Sequence, residues 1–150
     1  MLGPSRTRED SMNWKLVAQL SLFGLLMGVG SVFFIPATLE PFLWLVVFLV
    51  SAYFIGTRAP DRYFLHGVAL GLANCVWITA AHVIFIARYL PRHPSESAMM
   101  TSMPMPTHPR VMMAVVGPVV GLVSGIIIGA LAVVAHRMVT PRPRPVVSNS

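Results

Sequence analysis

Four long apolar runs, separated by short polar segments, constrain this chain more than any other feature. The first extends from Trp14 to Ile35 and carries no charge after Lys15. Its 22 residues would form about 33 Å of helix, enough for a hydrocarbon core of roughly 30 Å. The second runs from Pro41 to about Thr57, the third from Tyr63 to about Leu90, and the fourth from Val111 to about Val139. The pattern predicts an all-α fold, a four-helix transmembrane bundle made of two antiparallel hairpins. A secretory signal is the rival reading of the first run, with Arg6, Arg8 and Lys15 as its basic region and Gly28 or Gly30 at a cleavage site. The apolar run continues through Val32, Phe33, Phe34 and Ile35, so a retained span is expected.

Only 11% of the 150 residues are charged and 55% are hydrophobic. A soluble domain has about 25% charged residues, so lipid must cover much of this surface. The formal charge of +6 does not form the stripe that nucleic acid requires. The cations sit at the ends of the apolar runs, where membrane proteins place them. No nucleic-acid partner is expected, and the lipid bilayer is. Cys75 is the single cysteine, which excludes an intramolecular disulfide and a dithiol relay.

The punctuation between runs is legible. A six-residue turn, Pro36 to Pro41, predicts that the first two helices form a tight hairpin, with Glu40 and Pro41 favouring a helix start. The polar turn Arg58 to Arg62 separates the second and third runs. Pro91 stops the third, and a loop covers 91–110. Residues 1–13 form an arm and 140–150 a Pro/Arg tail, expected to be extended or disordered. Counting Lys and Arg sets the orientation. Arg6, Arg8, Lys15, Arg58, Arg62, Arg137, Arg142 and Arg144 fall on one side; Arg88, Arg92 and Arg110 fall on the other. This bias predicts both termini in the cytoplasm, and a bacterial inner (plasma) membrane is the expected location.

The fourth run carries Gly117, Gly121, Gly125 and Gly129, each four residues apart, a glycine zipper on one helix face. Small residues let backbones approach, which supplies association energy that the hydrophobic effect cannot supply in lipid. Two readings stand: packing inside the bundle, or a homo-oligomer seam on the fourth span. Pro118 is a potential kink. In the third run Gly67, Gly71, Asn74, Ile78 and His82 share a face that should point inward. Asn74 is expected to make an interhelical hydrogen bond. His82 reads as a bonded core residue or as a ligand or proton carrier. His66 and His136 read as boundary residues. No Asp or Glu lies inside a run, which argues against a proton-coupled carrier.

The segment from Arg88 to Met113 holds six of the ten methionines: Met99, Met100, Met103, Met105, Met112 and Met113. Two His-Pro pairs, at His93 and His108, frame this Met/His-rich loop. One reading is a short helix after Pro94, capped by Ser95, with Met99, Met100 and Met103 on the bilayer surface. The other is a metal site. Thioethers select Cu(I) and imidazole suits Cu and Zn, so His82, His93, His108, Met100, Met103 and Met105 are its candidate ligands, with Glu40 and Glu96 orienting a histidine. No catalytic constellation is present in the sequence. A non-enzymatic accessory bundle that binds membrane partners is the first functional expectation. A copper-handling protein and a subunit of an oligomeric channel or small transporter are the alternatives.

Overall fold

A computed structural model describes residues 12–104 and 107–140. Arg6, Arg8, Met105 and the tail with Arg142 and Arg144 lie outside these residues. The described residues are helical apart from short turns and contain no strand. Four helices are long and apolar enough to cross a membrane: α1 (Trp14–Phe33), α2 (Glu40–Arg58), α3 (Tyr63–Ile84) and α6 (Pro109–Val139). Between α3 and α6 lie α4 (Ile86–Tyr89), a 3-10 turn (Leu90–Arg92) and α5 (Pro94–Thr101).

Local chemistry accounts for the helix ends. The side chain of Asn13 caps α1 by accepting from the Leu16 N–H at 3.0 Å. Its own backbone N–H donates to His66 Nε2 at 2.8 Å, and His66 Nδ1–H donates to the Arg62 carbonyl at 3.1 Å. His66, fully buried, therefore ties the start of α1 to the start of α3. Pro41 lies in the first turn of α2, where its missing N–H costs nothing. Arg58 closes the helix with its guanidinium over the Phe54 ring, 4.6 Å from the centroid. Arg62 turns the chain into α3 with a left-handed backbone, φ 47°.

Two expectations about helix boundaries need correction. The third helix does not run on to Leu90. Phe85 leaves helical geometry, at φ −104° and ψ 27°, so α3 ends at Ile84 and the chain is re-aimed before α4. Ser95 is not a cap: α5 starts at Pro94, His93 holds the cap position, and no side chain caps it.

The helices do not pair in sequence order. α3 packs most extensively on α6 and next on α1; α2 lies mainly on α6. α1 and α2 touch little despite their short turn. The neighbour order is thus α1, α3, α6, α2. Glycine sets it. A Cβ on Gly67 would lie 2.2 Å from the backbone N of Gly129, and one on Gly71 would lie 2.3 Å from Cα of Gly125. No side chain of any size fits there, so α3 and α6 meet backbone to backbone. On the other side of α3, a Cβ on Gly28 would be 3.0 Å from Cα of Ile78. The inward stripe of α3 therefore serves two neighbours: Gly67 and Gly71 face α6, while Asn74 and His82 meet α1 at Gly24 and Ser31.

The two ends of the assembly differ. At the terminal end, where α1 starts and α6 finishes, Leu16, Val17, Leu20, Ala52, Ile55, Leu70, Ile128 and Ala132 form one buried core. His136 closes this end, stacked on Tyr63 at 4.0 Å between centroids, with Nδ1–H donating to the Gly56 carbonyl at 3.1 Å. At the loop end a smaller cluster, Val32, Ile86, Tyr89 and Met113, joins α1, α4 and α6. The space between α2, α3 and α6 there is left open.

Candidate functional site

That space is a cavity of about 450 Å³. This lies within the range of small-molecule sites, which are mostly apolar with a few placed polar groups. α2 contributes Glu40, Trp44 and Phe48; α3 contributes Gly71, Asn74, Cys75, Ile78, Thr79 and His82. α6 supplies Met112, Met113, Val116, Gly117, Val120, Gly121 and Ser124. Tyr89 and Glu96, with Met99, Met100 and Met103, close the loop end. Met99, Met100 and Met103, for which one reading of the sequence was the bilayer surface, line this cavity, with Met99 still 55% exposed.

The rim is ordered by a stack of three rings. Tyr89 lies between His82, at 3.7 Å between centroids, and His93, at 4.1 Å, each 22° from parallel. The Ser31 hydroxyl donates to the Gly28 carbonyl at 3.1 Å, which leaves its oxygen to accept from His82 Nε2–H at 2.9 Å. His93 is only 1% exposed. Its Nδ1–H donates to the Tyr89 carbonyl at 3.0 Å, because a carbonyl can only accept. Its Nε2 faces Glu40 Oε2 at 3.0 Å. Trp44 Nε1–H donates to the other Glu40 oxygen at 3.3 Å.

Tyr89 donates its hydroxyl to Glu96 Oε2 at 2.5 Å. Burial, then the bond to Glu96 and the negative charge of Glu96 and Glu40, pushes the Tyr89 phenol well above its ordinary value of 10.0. The native state therefore keeps this proton where an unfolded chain releases it. Since the unfolded state binds fewer protons, the Tyr89 contribution lowers stability as pH rises past about 10. Tyr89→Phe is expected to leave the phenolate absorbance gained in an alkaline titration of the folded protein unchanged. A decrease in that gain would show that Tyr89 ionises there.

Asn74 is the unusual wall residue. It is 3% exposed, and neither Oδ1 nor Nδ2 has a hydrogen-bond partner. The expected interhelical bond is absent for a simple reason. The surface opposite is Gly24, whose missing side chain lets α1 approach; a Cβ there would lie 2.5 Å from Asn74 Oδ1. Glycine has no group with which to answer an amide.

Of the described residues considered as metal ligands, His82, Met100 and Met103 line the cavity, whereas His93 and His108 do not. The Tyr89 ring separates His82 from His93. His108 is exposed, its Nδ1 2.9 Å from Thr107 Oγ1. No group of three His, Cys, Asp or Glu is placed to hold an ion among the described residues. Met100 and Met103 do share the cavity wall. Of the packing glycines, Gly121, Gly125 and Gly129 lie against α3, and Gly117 meets Thr79. Sequence reasoning missed Tyr89 as the central element of the rim. Its spacing, seven residues after His82 and four before His93, was the available signal. Comparison with protein-family models, with curated proteins and with solved structures returns no match.

Proposed function

We propose that this multi-pass membrane protein is a non-enzymatic binding protein that takes a small amphipathic molecule into the cavity between α2, α3 and α6. One observation carries the reading. Asn74 buries an amide with no partner on the wall of a cavity large enough for a ligand. Such a group is costly in lipid, and intramembrane polar residues are functional candidates for that reason. A bound molecule would supply the missing hydrogen bonds. The titratable groups of the rim are engaged with one another, which favours binding over catalysis.

The spans form a four-helix bundle with both termini cytoplasmic, as the eight-to-three bias of Lys and Arg favours. The loop end then faces outward in a plasma membrane, and the cavity fills from that side. The glycine face of α6 is taken up by α3, which leaves the lipid-facing sides of α1 and α2 for any second copy or membrane partner.

Cys75 tests both parts of the proposal, because it is the only cysteine and lines the cavity. A small, membrane-impermeant methanethiosulfonate applied to right-side-out vesicles should modify it. The same reagent applied to inside-out vesicles should not. Equal labelling from the two sides, or none from either, would overturn the outward cavity.

A second reading is favoured by five thioethers around one space: Met99, Met100, Met103, Met112 and Met113. Thioether sulfur selects Cu(I). Anaerobic Cu(I) titration should then show one tight site, lost when Met100, Met103 and Met105 are all replaced by Leu. Affinity that survives this change removes the loop site.

A further inference from the structure

The chemistry of the cavity specifies more than an amphipathic guest. This inference rests on the binding reading above. Two carboxylates, Glu40 and Glu96, stand on its wall, and no Lys or Arg lines it among the described residues. They are not equivalent. Glu40 is paired with His93 at 3.0 Å. Glu96 accepts from the Tyr89 hydroxyl, a neutral donor. Arg88 and Arg92, on the turn before α5, are engaged elsewhere. Arg88 places its guanidinium 5.3 Å from the Phe33 ring centroid, and Arg92 donates to the carbonyls of Val32 and Phe33 at the end of α1. No basic side chain is paired with Glu96 among the described residues, at the rim of a mostly apolar chamber.

The walls suit the same kind of guest. Trp44 and Phe48 line the cavity on the helix that carries Glu40, and ring faces attract an organic cation once it is desolvated; both faces of the Tyr89 ring are taken up by His82 and His93. Methionine adapts to irregular apolar shapes, and Met-rich walls accept varied guests. At the inner end Asn74 lines the wall; its unpartnered amide is buried against Gly24 of α1, and a guest reaches it when the side chain turns. His82 is about eight residues along the helix from Asn74, so the rim lies roughly 12 Å from the amide.

We propose that the cavity binds an organic cation with an apolar body, its positive charge held at Glu96 and its far end reaching Asn74. The charge at the rim sets the preference. An anion of the same shape meets repulsion from Glu96, and a neutral molecule gains no ion pair.

Three probes of related shape test this on the full chain in lipid nanodiscs: tetraphenylphosphonium, its anionic counterpart tetraphenylborate, and neutral triphenylphosphine oxide. The oxide carries an acceptor suited to the Asn74 amide. Equilibrium dialysis should show one saturable phosphonium site per chain, at least about tenfold tighter than borate. Glu96→Gln should weaken phosphonium about tenfold and leave the oxide unchanged, which also shows that the variant is folded. Glu96→Asp, which keeps the charge, should retain the preference. If the oxide binds while phosphonium is no tighter than borate, or if Glu96→Gln leaves phosphonium binding intact, the cation inference fails and the binding cavity stands. If none of the three binds, both fail.

Discussion

Gly71→Leu is expected to prevent folding altogether, and Gly71→Ala to cost about 3 kcal/mol, the upper part of the range for overpacked interiors. A Cβ at this position would lie 2.3 Å from Cα of Gly125 and 2.4 Å from the Gly121 carbonyl oxygen. Both obstacles are backbone, so no rotamer change relieves them, and α3 must separate from α6 along its length. Separation forfeits the close packing that holds helices together in lipid, where the hydrophobic effect contributes little. Gly30→Ala is the control. Its added methyl would meet only the flexible end of Ile35, and alanine is a better helix former by about 1 kcal/mol. It should be neutral or slightly stabilising. Unfolding in mixed micelles, followed by circular dichroism, measures all three. Native mass spectrometry separates the alternative: a Gly121→Leu or Gly125→Leu chain that stays folded but loses an oligomeric mass would place the seam between copies.

Asn74→Leu should act in the opposite direction on stability. The two side chains are of similar shape, but leucine leaves no buried donor or acceptor unsatisfied. Removing an unpaired amide is worth about 1–3 kcal/mol, so the ligand-free variant should unfold later than the parent chain. The same change should remove the Asn74 amide as a donor to the cavity and weaken triphenylphosphine oxide, whose acceptor that amide would meet. A protein that carries a destabilising group at a binding site commonly shows this trade between stability and activity. A variant less stable than the parent would mean that Asn74 finds a partner in the membrane, and the argument for a ligand would lose its basis.

The spans were legible because the requirement behind them is local. A segment crossing lipid must be long, apolar and internally hydrogen-bonded, and each property can be read residue by residue. The glycines at 117, 121, 125 and 129 were legible as a close-packing face for the same reason, since helical periodicity alone aligns them. Their partner was not. Periodicity does not say which helix a face meets, and the short turn after α1 suggested a neighbour, α2, that α1 barely touches. The break at Phe85 was hidden as well, because an apolar run gives no sign of an interruption when no proline or glycine marks it.

The candidate site divides along the same line. The loop was marked in sequence by its methionines and His-Pro pairs, and Asn74 and His82 by their polarity inside an apolar run. Their relations were decided in three dimensions. Tyr89 entered between His82 and His93, which turned possible co-ligands into the outer members of a stack. Gly24 faced Asn74 and left its amide unanswered. Met99 and Met100 of α5 came to line the cavity between α2, α3 and α6. By itself the sequence determined where four helices long and apolar enough to cross a membrane lie, with the end of the third misplaced, and which faces are small or polar. Only the tertiary structure decided that α3 and α6 meet at their glycines, that a cavity remains beside them, and that Tyr89 donates to Glu96 at the rim. The physical reason is that hydropathy and periodicity act along one helix, whereas cavities and unpaired groups arise from what a second helix fails to provide.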